Sequence, residues 1–257
     1  MSASSNQRRR PNGGSKSIAR RKMEEGVALR PQADEIIAGW WRYLPLVAVA
    51  FGLGGLLAFA LLLPDLDGLV FGYVVMYIAG FVMLAILTYK QTRRLTAHMS
   101  REESIRQGML EGIRARIEAG EGAKADQELT AMELVQKEAS QQERLPNQAY
   151  AAMSVLPLVG LVVGYYYLYH LNRVTFPHDA RWLRYLQEYS SAGSKVGVIA
   201  PSVPSPTVAK RSFALYALIS LAFFPFLAYW YHVMIGEVNR HFQGQWKAED
   251  ELLSSAD

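Results

Sequence analysis

The amino-acid sequence predicts an all-α integral membrane protein. It reads as four transmembrane helices with a cytoplasmic helical hairpin between spans 2 and 3 and an interfacial amphipathic helix before span 4. Three observations carry that expectation. Four windows, Tyr43–Leu63, Leu69–Thr88, Ala149–Leu171 and Phe213–Ile235, hold no Asp, Glu, Lys or Arg. At about 1.5 Å per helical residue each could cover the ~30 Å hydrocarbon core. Nine Lys and Arg precede the first window, and the segments between windows show helical spacing. The mean hydropathy of +0.03 conceals this, because the charge is concentrated outside the windows.

Residues 1–35 are rich in Ser, Asn, Gly, Pro and Arg. They read as a disordered basic arm with too few apolar positions to offset ordering entropy. Arg8–Arg10 and Arg20-Arg21-Lys22 would orient the chain or touch anionic lipid. Trp40, Trp41, Arg42 and Tyr43 form an aromatic and basic cluster of the kind found at membrane interfaces. Spans 1 and 2 make a hairpin (residues 36–88) through the turn Pro64-Asp65-Leu66-Asp67-Gly68, too short for anything but an antiparallel pair. Basic residues flank this hairpin on both sides and none lies in its turn. The positive-inside rule therefore places the N-terminus in the cytoplasm of a multi-pass protein.

Residues 89–148 carry ten Lys and Arg and read as a cytoplasmic helical hairpin. Leu95, Met99, Ile105, Met109, Ile113 and Ile117 form an imperfect helical stripe, broken at Ala119-Gly120-Glu121-Gly122. The stripe is thin for a self-sufficient pair. Met99, Ile105, Met109, Ile113 and Ile117 are therefore expected to bind a partner protein or a second copy. Residues 149–235 hold spans 3 and 4. Between them Trp182, Tyr185, Leu186 and Tyr189 fall at i, i+3, i+4 and i+7, an amphipathic helix suited to the interface plane, with Trp230 as a further interface residue. An extended Pro-rich spacer follows at 201–206, and an acidic tail occupies 236–257.

The chain has no cysteine, which excludes disulfides, thiolate metal sites and cysteine nucleophiles. No hydrolase, zincin or phosphate-loop motif is present, so no catalytic residue is assigned. The net charge of +4 accompanies no groove-reading motif, and no nucleic-acid partner is expected. The leading expectation is a non-enzymatic scaffold or accessory subunit of a membrane complex, with no cofactor and no metal. The first alternative is a redox subunit holding b-type haem between His170 and His232; the second is an oligomeric channel or small-solute transporter. His178-Asp179 would suit a metal, but Asp179 reads more simply as a helix N-cap.

Overall fold

The computed structural model describes residues 13–44, 61, 66–120, 125–141, 149, 159–223 and 225–255. They form α1 (Gly13–Ala28), α2 (Arg30–Ala33), a 3₁₀ turn (Gly39–Tyr43), α3 (Leu66–Glu118), α4 (Asp126–Ser140), α5 (Val159–Val196), α6 (Phe213–Ala222) and α7 (Pro225–Ser255). No strand occurs among the described residues.

Among those residues no helix is long and apolar enough to cross a membrane. This overturns the expected four-span architecture, and with it the multi-pass membrane localisation. Span 4 shows the physical reason. Phe213–Ile235 is interrupted after Ala222, and a new helix starts with Pro225 in its first position, where a missing N–H costs nothing. The ten-residue apolar piece α6 reaches only ~15 Å, half the hydrocarbon thickness. Leu69–Thr88 is the opening of α3, a 53-residue helix that buries Ala85, Leu87 and Thr88 within the protein. Residues 45–60, most of span 1, and 150–158, the start of span 3, lie outside the described residues.

The interfacial helix is also corrected. Trp182, Tyr185, Leu186 and Tyr189 belong to α5 and are buried, as is Trp230 on α7. Their spacing does define one apolar face, but that face meets α3 and α4 rather than lipid. Trp40 and Tyr43 are exposed, and Trp41 packs against buried residues.

Glycines at positive φ end the two longest helices. Gly120 (φ 78°) follows α3 and Gly197 (φ 70°) follows α5, a region open to glycine without a Cβ clash. At the second, Val198 N–H donates to Gly193 O at 2.8 Å, closing a Schellman-type turn. Residues 13–28 and 30–33, expected as part of a disordered basic arm, are helical. α1 lies along α3, burying Ala19 and Met23; small residues and one methionine make this contact, a signal too faint for hydrophobic periodicity.

The buried side chains fall into two apolar clusters. One gathers Ile105, Met109, Ile113, Met132, Trp182 and Tyr185. Ile105, Met109 and Ile113 thus face the chain's own core; Ile117 packs at the edge of that cluster and Met99 at the edge of the other. The second cluster gathers Leu87, Leu95, Leu171, Trp230, Met234 and Ile235. α3, α5 and α7 each pass through both. Between the clusters each of them contributes polar residues that are also buried.

Candidate metal centre

That polar layer brings together His98 and Glu102 from α3, His178 from α5 and His241 from α7, all buried. One ligand atom from each lies within 4.8 Å of all the others. His98 and Glu102 share one helix face because they are four residues apart. His178 follows Pro177, which lies inside α5, and His241 precedes Phe242, whose ring stacks on His98 with centroids 4.2 Å apart.

Hydrogen bonds fix the direction of two imidazoles. His98 Nδ1 lies 2.8 Å from Asp34 Oδ1, and His241 Nδ1 lies 2.6 Å from Asp179 Oδ1. An ionised carboxylate only accepts, so both Nδ1 atoms carry the proton and both Nε2 lone pairs aim into the cluster. His178 Nε2 is 3.0 Å from Glu102 Oε2, and His98 Nε2 is 3.5 Å from the same oxygen. The Nε2 atoms of His98, His178 and His241 make no hydrogen bond with the described residues. Arg106 forms an ion pair with Glu102 through Oε1, leaving Oε2 towards the histidines.

Each orienting carboxylate is itself held. Asp34 accepts from Arg101 Nε at 3.1 Å and from Trp246 Nε1 at 2.6 Å, and pairs with Arg101 Nη2 at 2.6 Å. Arg101 also reaches Glu249 at 2.8 Å, and Glu249 accepts from Arg30 at 2.7 Å. Asp179 accepts from the Thr207 hydroxyl at 3.0 Å and from the backbone N–H of Thr207 and Val208 at 3.1 and 3.3 Å. It is therefore not the N-cap expected from sequence. It lies inside α5 and ties the extended segment before α6 to His241.

Burial sets the protonation states. It pushes His98, His241 and, most strongly, His178 below their ordinary value, so the imidazoles stay neutral. The Asp34 and Asp179 carboxylates oppose the shift at His98 and His241. The neighbouring His241 and His98 rings and the Arg106 and Arg181 guanidiniums, which would oppose a charge there, deepen it at His178. Burial alone would raise Asp34, but His98, the Arg101 guanidinium and the Trp246 hydrogen bond outweigh it and hold the carboxyl at about 2. Asp179 is lowered in the same way by His241 and its N–H donors. Burial pulls Arg106 down to about 10, still protonated at neutral pH. Neutral imidazole and ionised carboxylate are the forms that bind metal.

The histidines singled out from sequence lie elsewhere. His170 packs against Tyr166 and Tyr169, and His232 against Tyr43. They precede His178 and His241 by eight and nine residues on the same helices, ~12–14 Å along the axis. The local signal for the cluster was His98-x-x-x-Glu102, two ligand types on one helix face. His178 and His241 have no counterpart at helical spacing, and only the fold brings them to that face. Compared with known proteins, the chain matches no family model, no curated protein and no solved structure.

Proposed function

We propose that this chain is a divalent transition-metal protein, in which His98, Glu102, His178 and His241 hold one ion that fastens α3, α5 and α7 together. The observation that supports it is the convergence of acceptors. Two imidazole lone pairs with fixed tautomers, a third imidazole and a carboxylate face one buried point, with Arg106 engaged on the far oxygen of Glu102. The two lone pairs of His98 and His241 and the Glu102 carboxylate repel one another and forfeit their hydration, at a cost of several kcal/mol in a dry interior. A bound cation reverses the sign of that interaction. The carboxylate–histidine pairs Asp34–His98 and Asp179–His241 supply the outer shell that metal-bound histidines use.

The ion's role in this reading is to fasten the fold, because the ligands are buried and each belongs to a helix that spans both apolar clusters. The test is metal content. The full-length chain, stripped by chelator and dialysed against Zn(II), Mn(II) or Fe(II), is expected to retain one ion per chain by mass spectrometry. The H98A/H241A double variant is expected to retain none. Failure of the unsubstituted chain to retain any of the three ions in stoichiometric amount would sink the proposal.

A further inference from the structure

The geometry points to a four-coordinate, tetrahedral centre that selects zinc(II), with Glu102 Oε2 as the fourth ligand beside the three imidazoles. This rests on the reading that the cluster holds a metal, and goes on to say which class of ion it takes.

The three rings form a near-equilateral triangle. Their centroids are 5.4 Å (His98–His178), 5.2 Å (His98–His241) and 5.3 Å (His178–His241) apart. The interplanar angles are 75°, 72° and 70°, so the rings are set as the blades of a propeller. An ion bound at ~2.05 Å from Nε2 lies ~3.2 Å from the ring centre, on the same line. Ligands at the tetrahedral angle then separate the ring centres by ~5.2 Å, whereas three facial positions of an octahedron bring them to ~4.5 Å. The observed sides match the first value; allowing for the longer bonds of a six-coordinate ion, they still exceed the second by about half an ångström.

Glu102 completes the same figure. A tetrahedron of this size has edges of ~3.3 Å, and Oε2 lies 3.0 Å from His178 Nε2 and 3.5 Å from His98 Nε2. Arg106, paired to Oε1, keeps Glu102 from binding through both oxygens, which would raise the coordination number. Three nitrogens and one oxygen suit zinc and disfavour magnesium or calcium, which take six or more oxygen ligands. Octahedral manganese(II) would need further ligands inside a layer where all four donors are buried.

Cobalt(II) reports this geometry directly, since its d–d absorption is strong when four-coordinate and weak when octahedral. Titrating the metal-free full chain with Co(II) is expected to give strong visible bands that saturate at one equivalent and vanish on adding one equivalent of Zn(II). Uptake of one Co(II) with only weak octahedral absorption overturns the tetrahedral assignment while leaving the metal reading standing. No uptake sinks both. E102Q, checked for retained helicity by circular dichroism, is expected to shift the bands and weaken Co(II) binding at least tenfold. An unchanged spectrum and affinity in E102Q removes Glu102 from the ligand set. If that variant does not fold, the unsubstituted chain's spectrum still decides the geometry.

Discussion

His98 donates its Nδ1–H to Asp34 Oδ1 across 2.8 Å, although the two residues are 64 positions apart. Asp34 is the residue that ends α2, so the N-terminal segment reaches into the polar layer and sets the tautomer of a proposed ligand. Removing such an outer carboxylate typically lowers metal affinity 10–100-fold without deleting a ligand. D34A is therefore expected to keep one Zn(II) per chain but bind it about 10–100-fold more weakly, measured by competition with a chromophoric chelator. D179A should behave alike through His241. Equal affinities for D34A and the unsubstituted chain would show that the hydrogen bond has no part in holding metal.

Metal removal should loosen the whole fold, because the four donors belong to three helices. A ligand that binds only the folded state stabilises it by RT ln(1 + [L]/Kd), about 4 kcal/mol at a thousandfold excess over Kd. For a chain of this size that corresponds to a rise in Tm of about 10 °C. Calorimetry with saturating Zn(II) and with chelator should show this difference in the unsubstituted chain, H170A and H232A. H241A should melt at the same temperature in both conditions. A Zn(II)-dependent rise in Tm that survives H241A places the ion elsewhere.

Helices were legible in the sequence; what they pack against was not. The spacing of Ile105, Met109 and Ile113, and of Trp182, Tyr185 and Tyr189, marks one apolar face on each of two helices. An apolar face has the same period whether it meets lipid, a partner or another helix of its own chain. Here both faces bury in one cluster. The break at Gly120 could be read locally, because a positive φ selects glycine. Continuity through Pro177 could not, since proline usually ends a helix. The candidate site was the least legible part. Its donors sit at 98, 102, 178 and 241, and their orientation depends on Asp34 and Asp179. One of these looked like an arm residue and the other like a cap.

Tyr189 offers a pH dependence that is independent of metal. Burial pushes its phenol up to about 12, against a small opposing effect of Arg116. The folded state thus favours the neutral phenol, and this contribution is fully present below the unfolded value near 10. It is lost as pH rises from 10 through 12, amounting to about 3 kcal/mol over that window. Denaturant midpoints of the unsubstituted chain should fall between pH 10 and 12, and less so in Y189F. Tyrosinate absorbance should assign the difference between the two proteins to a group titrating near 12. If that difference titrates near 10 in the folded chain, Tyr189 is not buried as described.

Two glycines four residues apart on α3 should respond differently to the same substitution. A Cβ on Gly108 would lie 2.7 Å from Met23 Cγ and 2.8 Å from the backbone oxygen of Ala19. The methionine can move, but the carbonyl belongs to α1 and can yield only if the whole helix shifts. A Cβ on Gly112 would meet Ala19 Cβ at 3.8 Å, an ordinary contact. Alanine is the better helix former by about 1 kcal/mol, and at Gly112 nothing offsets that gain. At Gly108 overpacking costs about 1–3 kcal/mol, which cancels or exceeds it. G112A is therefore expected to raise the urea midpoint, and G108A to lower it or leave it unchanged while exposing α1 to protease at Arg20, Arg21 and Lys22. The protease result carries the most weight, because it reads the separation of α1 from α3 directly. If G108A gains as much stability as G112A and α1 stays protected, the close approach of these two helices is wrong.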